Sequence, residues 1–240
     1  MYWQEDKPKK EAGISRDILD VVFSIRCRCL ALDHAYDLSQ ALTQALPWLH
    51  DEELAGIHLI HGAESGNGWV RPEDVTNELL HLSRRTRMTL RIPERRLPDI
   101  AELNGKTLDI GGYTLEVRDF NVHELSILPT MFARYVESDP NIDEDDFMQE
   151  AAAEIQAMGV QVKKMMCGKT HSFRSPKRDI FTRSLMLADL TPDESILLQQ
   201  KGLGTGRKMG YGLFIAHRGI KAVKDMDEEL AGSQAAAAKV

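Results

Sequence analysis

Between Gly202 and Gly212 five glycines enclose a basic pair, Arg207 and Lys208, and the apolar run Leu213, Phe214, Ile215, Ala216 follows at once. Glycine takes backbone angles closed to other residues and lets a ligand approach the main chain, so this cluster beside two cations reads as a cradle for an anion. A mobile connector is the plainer alternative. Two nucleotide-binding patterns fail here. A Walker loop needs G-x-x-x-x-G-K-[ST], and the dinucleotide pattern needs glycine where Arg207 or Met209 stands. The loop also precedes an apolar strand, whereas a dinucleotide loop follows a strand and opens a helix.

A second source of chemistry is histidine, which titrates near neutrality and serves as general base or acid. In LALDHAYDLSQALTQAL the residues Ala35, Leu38, Leu42, Ala45 and Leu46 fall at helical spacing, with Asp33 as N-cap and Pro47 as the stop. That puts His34 at the first turn, where main-chain amides also favour an anion. Tyr36, two residues on, sits about 200° around the helix, so it shares a site with His34 only if the helix starts late. Seven histidines compete: His50, His58, His61, His81, His123, His171 and His217. Most are expected to be surface or core residues, but His171 lies in a basic hairpin. Cys27, Cys29 and Cys167 match no disulfide framework and suit a reducing compartment. Cys27 and Cys29 with His58 and His61 make only a weak metal pattern, so no metal and no cofactor is expected.

The charge is sorted along the chain. The total is -7, yet Glu137 to Glu154 holds eight acids and no base, while Gln161 to Lys221 holds twelve Lys and Arg against four Asp and Glu. A further stretch, Ser83 to Arg96, has six arginines and one glutamate. Two basic stretches on an acidic chain point to a localised anionic ligand or to solvated faces. No apolar run approaches the roughly 18 residues of a membrane helix, and the polar N-terminus is unlike a secretory signal, so a cytoplasmic protein without membrane contact is expected.

The elements that must position these groups are read from periodicity. Val21 to Cys29 alternates as a half-buried strand, AGIHLIHG is a short strand, Glu73 to His81 a helix, Arg87 to Ile92 a strand. PERRLPDIAELNG is a short helix ended by Gly105, and TLDIGGYTLEVRD is two strands joined at Gly111 and Gly112. Val122 to Val136 is a strand region interrupted by Pro129, Asp143 to Met158 an acidic helix stopped by Gly159, and QVKKMMCGKTHSFRSPKRDIFTRSLMLADL two or three strands around a basic hairpin. A helix starts at Thr191-Pro192, and Tyr211 to Arg218 is the last strand. This is an α+β chain of two tandem ferredoxin-like (RRM-like) βαββαβ units, with a flexible N-terminus at 1–16, domains at 17–120 and 121–222, and a flexible tail at 223–240.

The C-terminal run Gly202, Gly204, Gly206, Arg207, Lys208, Gly210, Gly212 ahead of an apolar strand, on such a chain with a histidine heading its first helix, resembles the CRISPR repeat-processing endoribonucleases over roughly residues 17 to 220. The resemblance implies metal-independent cleavage of CRISPR repeat RNA in a precursor transcript, with 2′,3′-cyclic phosphate and 5′-hydroxyl products and retention of the guide RNA, usually in a larger effector complex of several subunits. It makes His34 the expected catalytic histidine; Tyr36 is a lesser candidate only through its place two residues on in the chain. A non-catalytic guide-RNA-binding subunit is the principal rival, and a phosphate-ligand enzyme a more distant one. Expected RNA contacts are Gly204, Gly206, Arg207, Lys208 and Gly210 of the loop, which would clamp the backbone. The hairpin would add Lys163, Lys164, Lys169, His171, Arg174, Lys177 and Arg178, and the second surface Arg84, Arg85 and Arg87. Phosphate contacts of this kind supply affinity and salt dependence; specificity comes from RNA shape or a few base contacts.

Overall fold

The structure is a computed structural model that describes residues 16–62, 78–176 and 178–217. Its first half runs β1 (Ile18–Arg26), β2 (Cys29–Ala31), α1 (Ala35–Ala45), β3 (Gly56–Ile57), β4 (Leu79–His81), β5 (Arg87–Pro93), α2 (Leu97–Ile100), β6 (Thr107–Ile110) and β7 (Tyr113–Glu124). The second half runs β8 (Met131–Glu137), α3 (Glu144–Ala157), β9 (Lys164–Phe173), β10 (Ile180–Ala188), α4 (Pro192–Lys201) and β11 (Phe214–Ala216). The strands form a five-stranded sheet, β3-β5-β1-β7-β6, a four-stranded sheet, β11-β8-β10-β9, and a small pair, β2-β4. All ladders are antiparallel. In each large sheet the first strand of its half, β1 or β8, lies between the strand that precedes the second helix, β5 or β10, and the last strand of the half, β7 or β11; β6 is added at the edge beside β7.

The alternation in β1 explains why it is central. Val21, Phe23 and Ile25 are buried, and they pack with Leu38, Leu42, Leu90, Ile92, Leu115 and Val117 into the first core. Each such side chain contributes about 1.5–3 kcal/mol on burial. The second core gathers Met131, Ala133, Phe147, Ile155, Leu185, Leu187, Leu198 and Phe214 beneath the four-stranded sheet. A third group, Ala35, Leu59, Tyr135, Phe173 and Tyr211, draws on both halves and joins them.

Local signals set most helix ends. Thr191 accepts from the Glu194 amide and Glu194 reaches back to the Thr191 amide, a capping box ahead of Pro192. Asp143 caps α3 by accepting from the Asp146 amide at 2.8 Å. Asp33 does not cap α1. The cap position belongs to His34, whose side chain makes no capping bond, and Asp33 Oδ2 instead accepts from the Arg174 amide at 2.6 Å. The structure corrects three other expectations. Leu79–His81 is a strand that pairs with Cys29–Ala31, so the end of the expected Glu73 to His81 helix is extended backbone; residues 73–77 lie outside the described residues. β1 ends at Arg26 and Cys29 begins β2, because the chain must leave the large sheet to reach its β4 partner. β7 runs on to Glu124, past the expected boundary at 120. No helix among the described residues is long and apolar enough to cross a membrane.

Candidate nucleic-acid interface

The glycine loop is folded inward. Gly202, Gly204, Gly210 and Gly212 have positive φ. At Gly212 (φ 68°) a side chain would strike the Leu203 carbonyl, and the main chain there is pinned by the Gly212 amide donating to Tyr135 O at 2.6 Å and Leu203 donating to Gly212 O at 3.0 Å. Arg207 is 6% exposed. Its guanidinium donates to Lys201 O at 2.6 Å, Leu54 O at 2.8 Å and Ala55 O at 3.4 Å. Burial, then the nearby Arg91 charge, pulls its pKa down to about 10, so it stays charged at neutral pH. Arg207 therefore ties the loop to the first half, its guanidinium engaged by main-chain carbonyls instead of open to solvent, whereas the sequence suggests a phosphate contact. Gly206 is buried against Tyr211, and the Gly204 amide is taken by Glu154 at 2.9 Å. Lys208 reaches His50 O at 3.3 Å, and burial followed by Arg207 lowers its pKa. Gly210 alone of the loop glycines lines the cleft described below.

A second arginine does the same across the sheets. Arg91, fully buried on β5, grips Asp20 with Nε and Nη2 at 2.8 and 2.9 Å and donates from Nη1 to Phe214 O at 2.9 Å and Gln199 O at 3.0 Å. Burial pushes the Asp20 carboxyl up, but Arg91 and His58 more than offset it and hold it well below the usual range. His58 lies 3.8 Å from Asp20; burial lowers its pKa, which keeps it neutral. Arg91 sits within the basic Ser83 to Arg96 stretch, and nothing in the local pattern marks it as a buried tie. Within that stretch Arg95 and Arg96 pair with Glu52, leaving Arg84, Arg85 and Arg87 exposed.

His34 is also buried, at 3% exposure. Its Nδ1 lies 3.0 Å from Ala31 O, and its Nε2 accepts from the Ile60 amide at 3.2 Å. A carbonyl only accepts and an amide only donates, so the ring is a neutral Nδ1–H tautomer with both nitrogens engaged. In this arrangement His34 braces the start of α1 against the Ile60 segment, with its ring nitrogens facing main-chain groups. Tyr36 is part-exposed on α1 and outside the buried ring group that joins the halves.

Between the two large sheets lies a cleft of about 430 Å³. Asp20, His58, His61, Arg87 and His123 line it from the first half, and Arg134, Tyr135, Gly210, Leu213 and Ile215 from the second. The Tyr135 ring is the hub of a stack: His171 stands 5.4 Å from it, Phe173 4.8 Å and His61 6.1 Å, and Tyr211 is 5.0 Å from Phe173. These rings come from the segment after β3, from β8, from β9 and from the turn before β11. The sequence places His171 in the hairpin; that it meets His61 around Tyr135 depends on the packing of both halves.

Beyond the cleft, β9 is the edge strand of its sheet. Lys163, Lys164, Lys169, Arg174 and Arg178 are exposed along it and its turn. Lys163 reaches Asp189 O at 3.1 Å, Lys164 pairs with the Asp189 carboxylate at 2.8 Å, and Arg178 stands 3.7 Å from Glu137. Such exposed pairs are worth about 0–1 kcal/mol and exchange readily for phosphate. Lys177 lies outside the described residues. No cluster of three or more His, Cys, Asp or Glu suited to a metal occurs among the described residues.

The family model described as Cas6 Crispr matches residues 19–219. The chain is 32% identical over 197 residues to the CRISPR-associated endonuclease Cas6 of Myxococcus xanthus (strain DK1622), covering 82% of this chain and 80% of that one. The fold is similar to a solved CRISPR associated protein Cas6 (TM-score 0.59, 12% identity, 84% of this chain and 100% of that chain). It is also similar to a Cas6-related protein from Pyrococcus furiosus (TM-score 0.53, 11% identity, 82% and 97%). A third likeness is to Cse3 of Thermus thermophilus, solved bound to an RNA representing a pre-cleavage complex (TM-score 0.50, 12% identity, 84% and 100%). A match spanning the strands, the glycine loop and the cleft places this chain in the Cas6 family of CRISPR-associated endonucleases.

Proposed function

We propose that the protein is an endoribonuclease that cuts CRISPR repeat RNA in precursor transcripts by attack of the RNA's own 2′-hydroxyl, without a metal ion, and that it retains the guide RNA for assembly with other effector subunits in the cytoplasm. The chain is read as two ferredoxin-like domains, supported by the matching strand order of its two large sheets. The observation that carries the reading is the cleft between those sheets, where imidazoles and the guanidiniums of Arg87 and Arg134 meet beside an exposed basic edge strand.

The chemistry needs three things: a base for the 2′-hydroxyl, an acid for the departing 5′-oxygen, and positive charge on the crowded phosphate. Imidazoles supply the first two near neutral pH. Arg134 and Arg87 supply the third, and Lys169, Arg174 and Arg178 would track the flanking phosphates. Arg207, Arg91 and the glycine loop hold the two halves at the spacing that defines the cleft. Incubating the protein with RNA of its own CRISPR repeat in EDTA tests the reading: cleavage supports it, whereas binding without cleavage makes the protein a guide-RNA-binding subunit.

A further inference from the structure

We propose that the open edge of β7 pairs with the same edge of a second copy of this chain, so that two copies form a symmetric dimer through one continuous sheet. In the five-stranded sheet β1 runs along one side of β7 from Glu116 to Glu124. β6 covers the other side only from Tyr113 to Glu116. The Val117 amide and carbonyl are taken by Lys106 O and the Gly105 amide, and from Arg118 to Glu124 no described strand lies beside that edge. A strand edge left open in this way is a template for pairing with another chain. Six of its seven residues are exposed, Val122 among them at 41%. Beyond Glu124 the chain leaves the sheet, and the Ser126 amide and carbonyl are held by the Gln199 side chain. The open stretch is therefore bounded at both ends.

The residues of this stretch fit a second copy of themselves. Antiparallel pairing about Asn121 sets Asn121 opposite Asn121 and Phe120 opposite Val122. Further out Asp119 meets His123, and Arg118 meets Glu124. Opposite charges and aromatic–β-branched pairs set face to face are the stabilising cross-strand contacts, and no like charges coincide in this register. Centring the pair on Phe120 or Val122 instead shortens the seam and sets Arg118 and Glu124 apart. Each contact occurs twice about a two-fold axis, as an isologous interface requires. Arg118 stands 3.1 Å from Glu116 of its own strand, an exposed pair of small worth that leaves guanidinium N–H groups for a second carboxylate. Arg118 and Asp119 together face Ser24 in a bulge, so the main-chain ladder centres on residues 120–122 and the outer pairs act through their side chains. With one base against two acids, the stretch favours a protein strand over RNA. The axis stands perpendicular to the sheet, which gives ten continuous strands with the same face up. His123 lines the cleft, so the clefts of both copies open on that face, on either side of the seam.

The test is sedimentation of the full chain without RNA over a wide range of concentration, with thermal unfolding measured in parallel. It compares wild type, Arg118→Glu, Glu124→Arg and the variant carrying both exchanges. Wild type is expected to dimerise. Each single exchange sets two like-charged pairs face to face and weakens the dimer about 10-fold or more, while the double exchange restores it. Mixing the two single variants also restores a dimer, because every exchanged residue then meets the opposite charge; this readout needs both variants folded and so guards against mere damage. Wild type that stays monomeric at the highest concentration, or that pairs only when RNA is added, overturns the proposal. So does a dimer that either single exchange leaves intact, or a mixture of the two single variants that stays monomeric.

Discussion

His34 Nε2 accepts the Ile60 amide proton at 3.2 Å, across 26 residues of chain, while its Nδ1 faces Ala31 O at 3.0 Å. The histidine that the family resemblance marks as catalytic thus also links α1 to the segment that carries His61.

Replacing His34 by Ala leaves a buried amide without its acceptor, which costs about 1–3 kcal/mol. The urea midpoint is expected to fall accordingly, and cleavage to fall with it as the His61 segment shifts. Abolished cleavage at an unchanged midpoint would instead give His34 a direct part in the chemistry.

Arg207→Met removes a buried cation from three main-chain carbonyls. Hydrogen bonds from charged groups are worth about 1.5–3 kcal/mol each, so the variant is expected to lose at least about 3 kcal/mol in denaturant unfolding. Among molecules that remain folded, the salt dependence of RNA binding should not change, because Arg207 faces the Leu54, Ala55 and Lys201 carbonyls. A salt slope reduced by about one unit would mean that it neutralises a phosphate after all.

The Asp20, Arg91 and His58 group gives stability a defined acid limit. His58 has a folded pKa below its unfolded value of about 6.5, so the unfolded chain binds the extra proton first and stability declines as pH drops below that point. Asp20, also depressed in the folded state, adds a second loss as pH falls below the ordinary carboxylate value of about 4. Urea midpoints measured from pH 8 to pH 3 should fall in both windows, and His58→Gln should flatten the upper one. A midpoint flat between pH 7 and 5 would contradict the burial of a neutral His58.

Reversing charge at Lys169 and Arg174 together should weaken repeat binding and lower the salt slope by about one unit for each phosphate that the protein no longer neutralises. Unchanged affinity and slope would make this edge of β9 a solvated face.

Much of the fold is legible in the sequence because its signals are local. The alternation of Val21, Phe23 and Ile25 marks β1, Thr191 to Glu194 carries its own capping box, and Gly105 and Gly159 end their helices at positive φ. The short strand Leu79–His81 reads as the end of a helix because its three residues acquire strand character only by pairing with Cys29–Ala31. The site is less legible for the same reason. Whether Arg91 and Arg207 point to solvent or to carbonyls of the other half depends on packing between the halves, which no spacing encodes. His61 and His171 meet on Tyr135 only after the segment following β3, β8 and β9 are assembled; the one sequence signal is the placement of His171 in a basic hairpin.

In the proposed reaction the RNA's own 2′-hydroxyl is the nucleophile. The most direct measurement uses repeat RNA carrying a single 2′-deoxy nucleotide immediately 5′ of the cut, assayed in EDTA beside the unmodified repeat. The unmodified RNA is expected to be cut to a 2′,3′-cyclic phosphate and a 5′-hydroxyl, and the 2′-deoxy RNA to bind equally well and remain uncut. Cleavage of the 2′-deoxy RNA at the same position would contradict 2′-hydroxyl attack.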